Sequence, residues 1–181
     1  KQKNERSERR KPMKALKELL IRYPTLEICK KEIQQAYFVL KTCFFSGGKL
    51  LVCGNGGSAA DSEHIVGELM KGYLSRRPLP NLQKEQLLEL FPEEGDYLAE
   101  NLQGALPAIS LVSHSALITA FSNDVAPDMI FAQQVLGYGK EGDVLLALST
   151  SGNSRNVLYA VQVARSLGVA TLGMTGAAGG K

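Results

Sequence analysis

The sequence predicts an α/β fold: a parallel sheet covered by helices on both faces. Two observations carry this prediction. Short apolar runs alternate with helical stretches along the chain, the rhythm of strand–helix–strand units. The runs are apolar throughout and do not alternate with polar residues, which is the mark of strands buried on both sides. At 181 residues the chain is long enough for one such domain with a substantial core.

The elements follow in order. Pro12–Arg22 predicts a short helix, with Pro12 near its start and Pro24 beyond its end. A longer helix is expected from about Leu26 to Phe45. There Ile33, Tyr37, Leu40 and Phe44 recur at spacings of three and four, and Gly47-Gly48 stops it. These two N-terminal helices are suited to cover a sheet or to pack on another subunit. Lys49–Cys53 reads as the first strand, being too short for a helix. Gly54–Ser58 is a tight loop, and Ala59–Lys71 a helix. Ala108–Val112 reads as the second strand, followed by helices over Ser115–Phe121 and Pro127–Leu136. Val144–Leu148 is the third strand, Arg155–Leu167 a helix and Val169–Met174 the fourth strand.

One stretch breaks the rhythm. Residues 79–107 are rich in Leu, Glu and Gln and are punctuated by Pro80, Pro92, Gly95 and Pro107. They predict a helical insertion within a single domain spanning 12–181.

Composition narrows the function. The net charge of +3 has a local origin: residues 1–11 hold six Lys or Arg against Glu5 and Glu8. The basic character therefore belongs to a flexible arm and not to the folded body, which argues against a nucleic-acid partner. No apolar run reaches membrane-spanning length and no signal-peptide pattern is visible, so a cytoplasmic protein without a membrane partner is expected. Cys29, Cys43 and Cys53 are widely spaced and form no CxxC pair. Buried, reduced thiols are expected rather than a thiolate metal site.

Two loops carry the chemistry. Gly54-Asn55-Gly56-Gly57-Ser58 leaves a strand and enters a helix. Its glycines let the backbone approach a ligand closely, and the free N–H groups of the helix start favour an anion. Ser58 adds a hydroxyl. The loop matches neither a Walker sequence nor GxGxxG, and a plain tight turn is the competing reading. Ser149-Thr150-Ser151-Gly152-Asn153-Ser154 also leaves a buried strand and enters a helix. A helix cap needs one such hydroxyl, whereas this loop offers four. Two hydroxyl- and glycine-rich loops at the carboxyl ends of parallel strands fit a small phosphorylated ligand, because ligands of open α/β sheets gather at that edge.

His64 and Glu68 stand four apart on one helix face. Such a pair is commonly a surface ion pair or hydrogen bond. It also suits a zinc site or shared acid–base work. Asn123-Asp124 either holds sugar hydroxyls or forms a turn.

The segment Leu51–Asp61 resembles the first signature of the SIS (sugar isomerase) domain family, and Glu141–Ser154 resembles the second. The likeness runs from about Lys49 to Lys181 outside the 79–107 insertion, and within the family it points to the phosphoheptose isomerases. It implies a three-layer α-β-α sandwich, assembly as a homotetramer, and interconversion of a ketose phosphate and an aldose phosphate. It implies substrate contacts from Asn55, Gly56, Gly57, Ser58, Ser149, Thr150, Ser151 and Ser154, with Asn123 and Asp124 facing the sugar. His64 and Glu68 match two zinc-site positions, Glu68 also serving proton transfer. The family continues past Gly179-Gly180-Lys181 with a strand and a long helix bearing a Gln and a His. The resemblance thus implies a C-terminal part beyond Lys181. Where relatives often carry Gly-Arg-Tyr, this chain has Lys71-Gly72-Tyr73, leaving Lys71, Arg76 or Arg77 as substitutes for a ligand-binding Arg. Two further roles compete with the isomerase: a non-catalytic sugar-phosphate-binding regulator or replication-initiation assembly factor, and a sugar-phosphate lyase or etherase.

Overall fold

A computed structural model describes residues 14–72 and 76–181. The basic arm expected at 1–11, Pro12 and Tyr73 lie outside the described residues. The chain forms two compact units, divided between Phe38 and Val39.

In the first unit, residues 14–22 form helix α1, which buries Leu16 and Leu20 one turn apart. The single helix expected from Leu26 is instead a 3-10 segment, Pro24–Cys29, followed by α2, Lys30–Phe45. Pro24 sits at the first turn of the 3-10 segment, where its missing N–H costs nothing. Cys29 at its end is half-buried, not buried as expected.

The second unit holds the sheet. Its strands are β1 (Leu50–Gly54), β2 (Ala108–Ser110), β3 (Val144–Ser149) and β4 (Ala170–Thr175). All pair in parallel in the order β2-β1-β3-β4. The expectation of strands buried on both sides holds for β1 and β3, whose every residue is buried. It fails for β4, which is an edge strand and largely open. Helices α3 (Gly57–Met70), α6 (Ser115–Asp124), α7 (Ile130–Tyr138) and α8 (Arg155–Ser166) connect the strands. A 3-10 turn, Pro127–Met129, leads into α7.

Side chains alternate across the sheet, as the strand period of two requires. Leu51, Cys53, Leu145 and Ala147 pack with Phe131 and Val135 of α7 and Val157, Ala160 and Ala164 of α8. Leu50, Val52, Val144, Leu146 and Leu148 pack with Ile65, Val66 and Leu69 of α3 and with Val39, Leu40, Cys43 and Phe44 of α2. The covering face of α2 thus runs through Val39 and Cys43, while Tyr37, expected on that face, is exposed.

Residues 79–107 contain α4 (Asn81–Leu90) and α5 (Gly95–Asn101), which pack on each other. The excursion leaves and returns through a neck. Gly104 N–H donates to the Arg77 carbonyl (2.9 Å), and Arg77 Nε donates to the Gly104 carbonyl (2.6 Å). Among the described residues, no helix is long and apolar enough to cross a membrane.

A part-buried polar cluster centred on the buried Asp143 closes the amino-terminal end of the sheet. Asp143 accepts from Lys49 Nζ (2.5 Å), Lys49 N–H (2.9 Å) and Lys140 N–H (2.9 Å). Burial pushes its carboxyl up. The hydrogen bonds from Lys49 and Lys140, with the Lys49 charge, outweigh that and hold it below the ordinary carboxylate range. At the other end of β1, Gly54 lies against the first turn of α3. A Cβ there would stand 2.7 Å from Ser58 Cβ and 2.8 Å from the Ser58 carbonyl oxygen.

Three outcomes are expected. Asp143→Asn destabilises the fold by about 1–3 kcal/mol, because it leaves Lys49 without its counter-charge. A depressed carboxyl contributes stability above its unfolded value of about 3.9 and loses it as pH falls through the lower folded value. Denaturant melts across the acid range therefore show a shallower pH dependence in Asp143→Asn. Gly54→Ala forces β1 and α3 apart at a cost of about 1–3 kcal/mol, read by the same melts. Burial pushes the Cys53 thiol up to about 12 and raises Cys43 as well, so thiol reagents spare both until the protein unfolds.

Candidate phosphate and acid–base site

The strand order places a switch point between β1 and β3. From β1 the chain moves outward to β2, then crosses back to β3 and on to β4. Their carboxyl ends are level, Gly54 pairing with Leu148, so the two loops singled out in the sequence leave the sheet side by side. A crevice at that position is where open α/β sheets hold ligands.

The first loop opens α3 without a side-chain cap. Gly56 is the N-cap residue at φ 55°, ψ −120°, a conformation that glycine alone adopts freely. Ser58 N–H turns back to the Asn55 carbonyl (3.0 Å). The N–H groups of Gly56 and Gly57 make no hydrogen bond among the described residues. They are left at a helix start, where partial positive charge favours an anion. The helix begins two residues earlier than expected, which brings Ser58 into its first turn.

The second loop is likewise uncapped by its hydroxyls. Ser154 is the N-cap of α8 but makes no capping bond; its Oγ accepts instead from Ser149 Oγ at 3.0 Å. Ser151 Oγ accepts from Asn153 N–H at 3.2 Å. The cap-only reading of this loop therefore fails.

A cavity of about 650 Å³ opens at this rim. Ser58, Asp61, His64 and Glu68 of α3 line it, opposite Thr150 and the Thr175-Gly176 end of β4. Its floor is apolar, including Leu50, Leu146 and Leu148 from the sheet. Ser58 and Thr150, more than ninety residues apart in sequence, thus face one space. Positions 58, 61, 64 and 68 fall on one helical face, which is why a single helix supplies four polar side chains. His64 Nε2 lies 3.8 Å from Glu68 Oε1, an ionic contact when His64 is protonated.

The remaining candidates lie elsewhere. Gly56 and Gly57 are exposed in the first loop, and Ser149, Ser151 and Ser154 sit in the second, beside the cavity but not in its lining. Asn55 is exposed, with its side-chain amide bonded to Asn156. Asn123 and Asp124, expected after a helix, are its last two residues; Asn123 Nδ2 donates to Asp124 Oδ1 (2.8 Å), and neither lines the cavity. Lys71, Arg76 and Arg77 do not line it either, and the Arg77 guanidinium is committed to the Leu69 and Gly104 carbonyls. Three contributors escaped the sequence reading. Asp61 shares the helical face of Ser58 and His64, and the i, i+3 spacing was the available signal. Thr175 and Gly176 follow a predicted strand just as the two loops do.

A zinc ion requires about four donors in a structural site, or three and a water in a catalytic one. Among the described residues no three His, Cys, Asp or Glu side chains converge. His64 and Glu68 offer two, so the described residues do not by themselves make a zinc site.

Comparison with known proteins agrees with this fold. The family description "SIS domain" matches residues 86–176, a span that includes the second loop. A phosphoheptose isomerase of Rhodospirillum rubrum is 42% identical over 153 residues, covering 84% of this chain and 68% of the relative. One from Desulfovibrio desulfuricans is 39% identical, covering 78% of this chain and 55% of the relative. The chain thus spans between about half and two thirds of the length of these relatives. Among solved structures, a phosphoheptose isomerase from Neisseria gonorrhoeae superposes with TM-score 0.65 at 28% identity, covering 93% of this chain and 74% of that one. One from Francisella tularensis gives TM-score 0.64 at 31% identity, covering 92% and 78%. Sequence, fold and loop placement together show that this chain belongs to the SIS domain family.

Proposed function

We propose that the chain acts as an aldose–ketose isomerase on a phosphorylated sugar, interconverting sedoheptulose 7-phosphate and D-glycero-D-manno-heptose 7-phosphate. The observation that carries the reading is the shared cavity of Ser58, Thr150, His64 and Glu68. Hydroxyls of Ser58 and Thr150 line this space, the free N–H groups of Gly56 and Gly57 lie in the adjoining loop, and the acid–base candidate Glu68 lines it about three turns further along the helix that bears Ser58. That separation suits a sugar whose phosphate lies several atoms from its carbonyl. Similarity to phosphoheptose isomerases supports the substrate class.

Ser58, Thr150 and the Gly56 and Gly57 N–H groups would hold the phosphoryl oxygens. Ser149, Ser151 and Ser154 shape the neighbouring loop, and Asn123-Asp124, outside the cavity lining, is assigned to the sugar chain only by the family resemblance and not by a contact of this cavity. Binding energy at the phosphate then orients the distant reacting carbons. The Glu68 carboxylate removes the C1 proton of the ketose, leaving an enediolate. Returning a proton to C2, while the O1 proton departs and O2 gains one, completes the aldose. His64, 3.8 Å from Glu68, would exchange protons with it through one bridging water. Were zinc bound by His64, Glu68 and further donors, it would polarise the carbonyl oxygen.

The setting proposed is a cytoplasmic homotetramer. Phe38 and Phe45, at 62% and 82% exposure, support burial against another subunit.

Glu68→Gln removes the base while keeping the shape of the side chain. Conversion of sedoheptulose 7-phosphate is expected to fall at least about 100-fold in kcat, with sugar-phosphate binding retained. Unchanged turnover removes Glu68 from the mechanism. Binding by the unsubstituted protein without any turnover would instead favour a sugar-phosphate-binding regulator.

A further inference from the structure

The two loops are joined by a contact that the mechanism above does not use. Asn55 Nδ2 donates to Asn156 Oδ1, and Asn156 Nδ2 donates to Asn55 Oδ1, both at 2.9 Å. Asn55 belongs to the loop after β1, and Asn156 to the first turn of α8. We propose that Asn156 is a positioning residue: its reciprocal amide pair with Asn55 latches the Gly54–Ser58 loop at the spacing from the Ser149–Ser154 loop that a phosphoryl group needs. This rests on the sugar-phosphate reading of the cavity.

The first loop needs such a latch. It has glycine at three of its five positions, and Asn55, Gly56 and Gly57 are exposed. Fixing a residue's backbone costs conformational entropy, and most for glycine. The sheet aligns the loop only as far as Gly54. Between residues 55–58 and 150–156, no other hydrogen bond crosses among the described residues.

The chemistry of the pair is specific. Each amide presents one donor and one acceptor to the other, so both bonds form only with a carboxamide on each side. Val157 N–H also donates to Asn156 Oδ1 (3.0 Å), which fixes the orientation of the Asn156 amide from the helix side. Asn156 does not line the cavity and acts through Asn55. Ordering the loop before the ligand arrives lowers the cost of binding equally for ground and transition states. Its loss therefore raises KM and leaves kcat alone.

The test uses the whole protein with Asn156→Ala, Asn55→Ala and the double variant. Sedoheptulose 7-phosphate binding is followed by calorimetry, turnover by kcat and KM, and loop order by Ser58 and Ala59 amide exchange in the unliganded protein. Asn156→Ala is expected to raise Kd and KM about tenfold with kcat within about twofold, the loss of about 1.4 kcal/mol that one such bonded pair supplies. Exchange at Ser58 and Ala59, whose N–H groups donate to the Asn55 and Gly56 carbonyls (both 3.0 Å), is expected to quicken about fivefold or more. In the Asn55→Ala background, Asn156→Ala adds no further penalty. Unchanged Kd and exchange in Asn156→Ala, or additive penalties in the double variant, overturn the latch. If Asn156→Ala fails to fold, Asn156→Gln decides the matter: it keeps the amide but displaces it by one methylene, and unaltered binding and exchange again reject the proposal. An unsubstituted protein that binds no sugar phosphate removes the isomerase reading. In that case the exchange rates still judge the latch, since they require no ligand.

Discussion

Parallel pairing of β1 with β3 is the constraint on which the site depends. The register sets Leu50 against Val144 and Gly54 against Leu148, so the strands end level. Every residue of both strands is buried, and slippage by one position would swap each strand's side chains between the two helix layers that cover the sheet. The Lys49–Asp143 contact holds this register from the amino-terminal end, joining the residue before β1 to the residue before β3. The two loops at the far end are thus aligned by a part-buried polar bond at the near one.

From that register the rest of the cavity follows. Helix α3 can lie close to β1 because Gly54 has no side chain to hold Ser58 off. Leu69 on α3 packs on the sheet, and its carbonyl accepts from Arg77 Nη2 (2.5 Å) and from Leu106 N–H (3.0 Å). The helix bearing His64 and Glu68 is therefore fixed at its start by a close glycine contact and at its end by the neck of the excursion. A guanidinium at a helix carboxyl end is also favoured by the helix dipole. In this arrangement Arg77 shapes the site without entering it.

The excursion itself is separate in construction. Its helices pack on one another, and its two ends meet at Arg77 and Gly104. A segment closed in this way leaves the strand order and the loop geometry undisturbed, because loop length adds little to the cost of closure. Leu82, Leu90 and Tyr97 remain exposed on it.

How much of this was legible in the sequence depends on the range of the interactions involved. Each of the four strands was expected within two residues of its bounds, because an apolar run between glycines or polar turns is a local signal. Both loops were legible for the same reason: glycines and hydroxyls between a strand and a helix declare their chemistry locally. So was the His64–Glu68 pair, fixed by helix periodicity. Helix starts were less legible. The break at Cys29 and the early start of α3 at Gly57 come from 3-10 geometry and glycine conformation, which period alone does not encode. The sequence by itself determined the strand–helix alternation, the residue types at the rim and the family. Only the tertiary structure decided the strand order, the meeting of Ser58 with Thr150, the commitment of Arg77 to carbonyls and the pairing of Asn55 with Asn156. Those contacts join residues up to 101 positions apart, and they follow from which strands pair and in what register, a property of the whole packed sheet and not of any one segment.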